Sequence, residues 1–371
     1  MMEITRWEST LQFTSGLRRF VRRSFCLVAL AALLSFSVHS VVRATPKPEN
    51  GKALQIYFVD VEGGQATLFV TPEGKSLLID TGWPENDGRD ADRIVAAAKL
   101  AALKQLDFVL LTHYHMDHAG GITQLAAKIP IRTVIDHGEN RDQEDAATEK
   151  VWEDYQALLA KEKLKRIVAK PGETLPLEGL EARVISADGA LIEKPLAAGG
   201  GINTSCNSSA QHLRDQTENA RSLGVLFTFG KLRILDLGDL TSDKEAELAC
   251  PVDKLGRMDI YVVSHHGSPT SNSPEFLNAI APRVAIMDNG AAKGGAPSSW
   301  DAAKESPRLV DFWQLHFSDQ GGAAHNAADP FIANPAGPDA GHYLKLTAWA
   351  DGNFEVFNSR TKQTKHYAPA R

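Results

Sequence analysis

The sequence has no excess of positive charge and, beyond its first 44 residues, no long hydrophobic run. It contains 40 Lys and Arg against 46 Asp and Glu, a formal net charge of −6. Residues 1–44 hold six arginines and two glutamates, so the remainder has 34 basic and 44 acidic side chains and a net charge of −10. This is a poor electrostatic footprint for binding a polyanion. The one basic cluster, Lys161 to Lys170, is read as a solvated face, and we expect no strong nucleic-acid-binding surface.

The chain also lacks the composition of a collagen, a coiled coil or a disordered protein. Hydrophobic residues make up 43% and charged residues 23%, which is typical of a soluble globular protein. Its 371 residues suffice for one large domain or two ordinary ones.

Residues 1–44 have the three parts of a secretory signal peptide: positive charge, an apolar run over 25–38, and small residues at 42–44. The positive charge comes from Arg18, Arg19, Arg22 and Arg23. Arg22-Arg23-Ser24-Phe25 also fits a twin-arginine signal, which exports folded proteins. The alternative is an uncleaved anchor, but the apolar run is barely long enough to span a bilayer. We predict export to the periplasm or the medium, with membrane contact only through the leader if it remains uncleaved.

Cysteine is scarce, with three residues in all. Cys26 lies in the leader, so Cys206 and Cys250 remain after cleavage. An even pair in an oxidising compartment favours a disulfide, and the alternative is two free thiols. We expect the bridge.

Beyond a polar linker at 45–53, the sequence predicts one domain over 54–371. Apolar segments of strand length are followed by alternating strands and helices, twice over, which indicates two packed sheets with helices outside. Residues 290–341 are rich in Gly, Pro and Ala with little periodicity, and they predict a long surface excursion.

The strongest chemical signal is the segment 112–121, which directly follows the buried strand predicted over 106–112. Four metal-competent side chains lie within six residues: His113, His115, Asp117 and His118. Imidazole and carboxylate are ligands that suit zinc and other first-row divalent ions. The alternative, a polar loop with histidines by chance, is disfavoured by their density.

This segment resembles the H-x-H-x-D-H motif of the metallo-β-lactamase superfamily. Three further stretches resemble the other superfamily motifs in the right order: Leu78 to Gly82, Leu237 to Asp239, and Val263 to Ser268. Within the superfamily the sequence is most similar to the hydrolase domain of the ComEC/Rec2 DNA-uptake channels, through Phe58 to Val61, Glu218 to Leu223 and His265-His266-Gly267-Ser268. The resemblance covers most of residues 54–290. It implies an α/β fold of the αββα type, with two packed mixed sheets flanked by helices.

The resemblance also implies two divalent metal ions, zinc or alternatively manganese. It assigns His113 and His115 to the first ion, and Asp117, His118 and His266 to the second, with Asp239 bridging. Asp80 would support the metal loop without binding metal. For both Asp80 and Asp239, the alternative interpretation is an ordinary turn residue. Asp117 and His265 are the candidates for proton transfer in catalysis.

One departure from the superfamily pattern concerns the first ion, because no histidine stands in the usual third position. Asn219 lies near that place and offers an amide oxygen or a supporting role. His137 and His212 are the only histidines in the interval, and we interpret both as surface residues. His316 is interpreted as a hydrogen-bonded core histidine.

These residues predict a metal-dependent hydrolase that uses a hydroxide activated by two metals. The expected substrates are phosphodiesters of the nucleic-acid type or other phosphate esters. The alternatives are a lactone or β-lactam hydrolase, and a metal-binding module without catalysis. Fold-level likeness alone does not choose among them.

Overall fold

The computed structural model describes residues 52–206 and 212–370, all within the unit Pro48–Arg371. The predicted signal peptide, 1–44, and most of the linker lie outside the described residues. Among the described residues, no helix combines the length and apolar character needed to cross a bilayer.

The first sheet has nine strands in the order β17-β16-β15-β1-β2-β3-β4-β5-β6. Their bounds are β1 Leu54–Phe58, β2 Thr67–Val70, β3 Ser76–Ile79, β4 Leu106–Leu110, β5 Ile131–Asp136, β6 Lys165–Val168, β15 Leu344–Ala348, β16 Phe354–Asn358 and β17 Thr364–Tyr367. The strands from β3 to β6 are parallel, and the others pair antiparallel.

The second sheet has eight strands in the order β14-β13-β12-β11-β10-β9-β7-β8. Their bounds are β7 Glu181–Ala187, β8 Ala190–Leu191, β9 Gly224–Phe229, β10 Leu232–Asp236, β11 Ile260–Val262, β12 Val284–Met287, β13 Asp311–His316 and β14 Ile332–Asn334. The strands from β10 to β14 are parallel.

Seven α-helices cover the outer faces of the sheets in the described chain. They are α1 Arg89–Leu100, α2 Met116–Ala119, α3 Ile122–Ala126, α4 Ala146–Glu162, α5 Ser242–Ala249, α6 Pro274–Ile280 and α7 Pro297–Glu305. One apolar cluster fills the space between the sheets, where Phe69 of β2 stacks on Phe227 of β9 with ring centroids 4.4 Å apart. A second cluster packs the first sheet against α1, α3 and α4, and a third packs the second sheet against α5, α6 and α7. The predicted αββα architecture is confirmed.

The strand sequences follow from this layering. Central strands such as β3 and β12 are buried on both faces, and they read as continuous apolar runs, SLLI and VAIM. The strands β15 and β16 alternate between buried and partly exposed residues, as expected for strands with one solvated face.

The prediction of a surface excursion over residues 290–341 was wrong. This segment contains α7 and extends the second sheet by β13 and β14. Strand β13 is short and almost wholly buried, and Trp313 packs between the sheets. Its sequence, DFWQLH, lacks the apolar pattern of a buried strand. The polar side chains Gln314 and His316 can nevertheless be buried because they form internal hydrogen bonds.

The predicted disulfide between Cys206 and Cys250 is present, with the half-cystines 44 residues apart in sequence. It ties the irregular segment after β8 to the end of α5.

The parallel strands position the segments that carry the candidate metal ligands. Neighbouring parallel strands end at the same edge of a sheet, so the segments after them converge. The H-x-H-x-D-H segment follows β4, Asp239 follows β10, and His265 and His266 follow β11.

Candidate metal centre

The H-x-H-x-D-H segment leaves the buried strand β4 and turns at once into the short helix α2. His113 and His115 lie in the turn, while Asp117 and His118 lie in α2. The backbone is fixed across the sheets, because Leu223 N–H donates to the carbonyl of Thr112 at 2.8 Å. The side chains of His113 and His118 are fully buried.

Four ligand atoms meet in one cluster: Asp117 Oδ2, His118 Nε2, Asp239 Oδ1 and His266 Nε2. His118 Nε2 lies 3.2 Å from Asp117 Oδ2, 3.2 Å from Asp239 Oδ1 and 3.1 Å from His266 Nε2. His266 Nε2 lies 3.1 Å from Asp117 Oδ2 and 3.4 Å from Asp239 Oδ1. The sequence-predicted residues of the second metal position are therefore brought together, with the bridging candidate Asp239.

These spacings fit a metal ion. Ligand atoms bound about 2.0–2.1 Å from a tetrahedral Zn²⁺ are about 3.3–3.4 Å from one another. The five distances of 3.1–3.4 Å match that edge length. Asp239 Oδ1 is buried without a hydrogen-bond partner, which leaves it available to a cation.

The Nδ1 atoms of His118 and His266 are hydrogen-bonded in a way that leaves both Nε2 atoms free to bind a metal ion. His118 Nδ1 lies 2.7 Å from Asp80 Oδ2, and His266 Nδ1 lies 2.9 Å from the carbonyl oxygen of Asp288. Each Nδ1 therefore carries the proton and donates it, so each Nε2 presents a lone pair to the cluster. Asp80 itself is oriented by the N–H and hydroxyl of Thr112, at 2.8 and 2.7 Å.

The second oxygen of Asp239 faces a different pair of histidines. Asp239 Oδ2 lies 4.0 Å from His113 Nε2 and 3.4 Å from His265 Nε2. His113 Nε2 is in turn 3.0 Å from His115 Nδ1. The two carboxylate oxygens of Asp239 thus separate the nearby histidines into two sets, His118 with His266 and His113 with His265.

Asn219 completes the His265 side of the cluster. Its Nδ2 lies 3.4 Å from His265 Nε2, and its Oδ1 is buried without a hydrogen-bond partner. His265 Nδ1 lies 3.2 Å from the hydroxyls of both Thr270 and Ser271. His265 therefore stands in the cluster beside Asp239, in the neighbourhood where the sequence has no third histidine.

The electrostatics of the cluster keep its carboxylates ionised. Burial alone raises the pKa of Asp117, but the charges of His118 and Lys293 more than offset it, and the pKa lies well below its usual range. Burial likewise raises the pKa of Asp239, and the neighbouring His118, His265 and His266 bring it well below its usual range.

The pKa values of His118 and His113 shift in opposite directions because the two rings have different neighbours. Burial lowers the pKa of His118, yet the carboxylates of Asp239, Asp117 and Asp80 raise it well above its ordinary value. Burial, with the adjacent rings of His118 and His115, lowers the pKa of His113 well below its ordinary value. Positive charge is thus favoured at the centre of the carboxylates, which is where a metal cation would supply it.

Two buried carboxylates beside the cluster were not predicted from the sequence. Burial raises the pKa of Asp236 to about 7 and that of Asp288 to about 8. Asp236 accepts a hydrogen bond of 2.7 Å from Gln65, and Asp288 accepts one of 3.0 Å from Thr67. Asp236 is the last residue of β10 and Asp288 directly follows β12, and that position was the available signal.

Lys293 and Trp83 were also missed. The Lys293 ammonium contacts Asp117 Oδ2 and lies 4.9 Å from the centre of the Trp83 ring. Trp83 directly follows the Asp80-Thr81-Gly82 motif, but nothing in the sequence connects it to Lys293, which stands 210 positions later.

The interpretation of His137 as a surface residue was wrong. Its side chain is buried, and its Nε2 lies 2.9 Å from Glu218 Oε2. Glu218 also accepts the N–H of Arg141 at 3.0 Å, so the pair anchors the loop after β5. His212 is partly buried and contacts Glu275.

His316 is buried and hydrogen-bonded, as the sequence predicts. Its Nε2 lies 2.6 Å from Asp60 Oδ1, with Glu62 3.8 Å away. Arg93 donates to Asp60 Oδ2 at 3.1 Å, so this group is an internal ion-pair network that already contains a cation.

The backbone around the site is strained. His265 and His266 have φ of 54° and 52°, a left-handed conformation that costs most non-glycine residues about 1–3 kcal/mol. Gly238, which precedes Asp239, has φ of 56°, and a Cβ there would lie 2.8 Å from Thr112 Cβ. The close contact of the two strand ends therefore requires glycine at this position.

Part of the chain resembles a known protein family. The sequence model of the metallo-beta-lactamase superfamily matches residues 59–202, which include the H-x-H-x-D-H segment. The chain is therefore similar to that superfamily over these residues, and the described cluster Asp117, His118, Asp239 and His266 could hold a metal ion.

Among curated relatives of this chain is Recombination protein 2 of Haemophilus influenzae, 25% identical over 236 residues. That match covers 64% of this chain and 24% of the relative. Competence protein ComA of Neisseria gonorrhoeae is 25% identical over 280 residues, covering 73% of this chain and 31% of the relative. The chain thus spans a third or less of the length of these two relatives.

Among solved structures, the metallo-beta-lactamase fold protein YhfI from Bacillus subtilis matches with a TM-score of 0.43 and 13% identity. The match covers 79% of this chain and 99% of YhfI.

Bound metal should stabilise this protein. A ligand at 100 times its Kd stabilises the folded state by about 2.7 kcal/mol per site. Each kcal/mol raises the Tm of a large domain by about 2–4 °C. We expect Tm to be about 5–10 °C higher with Zn²⁺ than with EDTA, and His266→Ala to lose most of this difference.

The matched control is His366→Ala, because the side chain of His366 is 59% exposed and lies on β17. It should keep the full shift. Equal Tm values for the unaltered protein in Zn²⁺ and in EDTA would contradict the assignment.

Asp80→Asn should weaken metal binding by about 10–100-fold, the usual effect of losing a partner that orients a ligand. The amide can match the donor of Thr112 or that of His118, but not both, so His118 loses its preferred tautomer. Competition with a chromophoric chelator measures the affinity. The control is Asp92→Asn, whose side chain is 65% exposed; an affinity for Asp80→Asn equal to that of the control would refute this role.

Proposed function

We propose that the chain is an exported hydrolase that binds two divalent metal ions, most simply zinc, and cleaves phosphodiesters or related phosphate esters. The observation that carries the two-metal part is the division of histidines between the two oxygens of Asp239. A carboxylate with ligand nitrogens gathered at each oxygen is suited to bridging two cations.

In this proposal Asp117, His118 and His266 would hold one ion, His113 and His115 would hold the other, and Asp239 would serve both. We assign His265 to the His113 side as the nitrogen that replaces the missing third histidine, with Asn219 beside it. This changes the sequence-based role of His265 from free proton transfer to metal binding or its support. It rests on the 3.4 Å between His265 Nε2 and Asp239 Oδ2.

When bound, two such ions supply Lewis acidity and a source of hydroxide at neutral pH. The chain contributes the orientation of that chemistry. Asp80 holds the His118 ring at 2.7 Å, and the Asp288 carbonyl holds the His266 ring at 2.9 Å. Asp117 is the group proposed to accept and return a proton, because its carboxylate lies at the exposed side of the cluster, where Lys293 contacts it.

The substrate class is supported by the relatives and by the charge pattern of the site. The names of the relatives refer to recombination and competence, and the substrate common to nucleic-acid chemistry is a phosphodiester. A lysine at the edge of a metal cluster favours an anionic substrate over a neutral one. The net charge of −10 beyond residue 44 favours a small substrate over a long polyanion.

The purified protein loaded with Zn²⁺ or Mn²⁺ should hydrolyse bis(p-nitrophenyl) phosphate. His113→Ala should reduce kcat/KM by more than about 100-fold, beyond the cost of losing a supporting partner. His366→Ala, on the exposed edge of the first sheet, should leave the rate unchanged.

The result that would overturn the phosphodiester assignment is no turnover from protein shown to carry two metals per chain. Hydrolysis of a lactone or a β-lactam by the same preparation would then identify an acyl hydrolase. Failure on every ester and amide would leave a metal-binding module.

Export is supported by the disulfide between Cys206 and Cys250, since disulfides persist in oxidising compartments. We propose that residues 1–44 are removed as a signal peptide, that 45–53 form a linker and that 54–371 form the mature hydrolase domain. Protein recovered from the periplasm or medium should begin near residue 45 by N-terminal sequencing. Recovery of only the full-length chain, in the membrane fraction, would instead establish an anchor.

A further inference from the structure

The loop between β12 and α7 brings a lysine to the metal cluster and is clamped at both ends. Gly290 N–H donates to the carbonyl of Lys293 at 2.9 Å, which closes a tight turn. Gly295 N–H donates to the carbonyl of His266 at 2.8 Å. A Cβ at Gly294 would lie 2.1 Å from that same carbonyl, so the loop approaches the His266 backbone as closely as glycine allows. The position of Lys293 is therefore fixed by the backbone of a cluster residue.

The Lys293 side chain is held on two sides but is not buried. Its ammonium contacts Asp117 Oδ2 and lies over the Trp83 ring, 4.9 Å from the centroid. The side chain is nevertheless 39% exposed, whereas that of Asp117 is 9% exposed. An ammonium has three donors, so Lys293 has donors beyond the one directed at Asp117 for a further acceptor.

The pairing of Lys293 with Asp117 does not by itself account for a lysine in this place. A surface ion pair contributes little to stability, and the carboxylate of Asp117 already faces His118 and His266 at 3.2 and 3.1 Å. A metal ion bound there would share the same carboxylate oxygen and leave the ammonium short of negative charge. An oxygen-rich anion at the mouth of the cluster would supply that charge.

We propose that Lys293 binds a non-bridging oxygen of the substrate phosphoryl group, and that Trp83 is a positioning residue that keeps the ammonium at the cluster. This inference rests on the proposed function and names the residue that makes the site selective for an anionic substrate. Lysine is a suitable phosphate ligand because it acts as a compact point charge. The Trp83 backbone is itself fixed, since the backbone N–H of Trp83 donates to Asp90 Oδ2 at 2.9 Å.

The direct test is the binding of inorganic phosphate to the Zn²⁺-loaded full chain, measured by isothermal titration calorimetry. Lys293→Met should raise the Kd for phosphate by about 10–100-fold, the usual effect of losing a charge-assisted hydrogen bond. Lys293→Arg should recover part of the loss, and Trp83→Leu should raise the Kd by about 2–5-fold. The matched control is Lys161→Met on α4, whose side chain is 79% exposed, and it should not change the Kd.

A second readout separates substrate binding from a structural role. At equal metal content, Lys293→Met should reduce kcat/KM for bis(p-nitrophenyl) phosphate much more than kcat/KM for neutral p-nitrophenyl acetate, because only the phosphate ester offers the ammonium an anionic oxygen. An equal loss on both esters, an unchanged phosphate Kd, or no phosphate binding by the unaltered protein would each overturn the inference. Phosphate binding that depends on Lys293, without diester cleavage, would support it while refuting the proposed function.

Discussion

The carboxylate of Asp239 is the constraint on which the rest of the metal centre depends. It is buried where two sheets meet, and an ionised carboxylate survives in such a place only with compensating partners. Those partners are ring nitrogens from the ends of two other strands, two facing each oxygen. Its backbone is fixed as well, because Asp239 N–H donates to Ser222 Oγ at 3.2 Å. Close contact between Gly238 and Thr112 brings the β10 end of one sheet to the β4 end of the other.

Several buried carboxyl groups lie around Asp239, and their negative charge favours the binding of cations. The buried carboxyl groups near the cluster are Asp80, Asp117, Asp236, Asp239 and Asp288. Burial raises the pKa of two of them, Asp236 and Asp288, to about 7 and about 8, since nearby negative charges add to the penalty of burial. Divalent ions at the cluster would relieve this repulsion, which links the stability of the folded chain to metal binding. The fold thus creates the site, and the negative charge collected there destabilises the fold.

How far the sequence predicts the centre depends on distance along the chain. The density of ligands from His113 to His118 is a local signal, and it led through the superfamily motifs to Asp80, Asp239 and His266, which the structure brings together. The sequence could not place His265 against Asp239 Oδ2, because that contact depends on two consecutive left-handed residues. It missed Lys293, since 176 residues separate it from Asp117. His137 was misjudged because its buried partner, Glu218, is 81 residues away, and β13 was missed because its polar side chains disguise a buried strand.

The central claim, that Asp239 is shared by two metal positions, is tested most directly by X-ray diffraction from crystals grown with Zn²⁺, recorded on both sides of the zinc absorption edge. Two anomalous peaks are expected on opposite oxygens of Asp239, about 3.5–4 Å apart. One should lie between Asp117, His118 and His266, and the other beside His113, His115 and His265. A single peak, with Asp239 bound through one oxygen and His113 and His265 away from any metal, would contradict it.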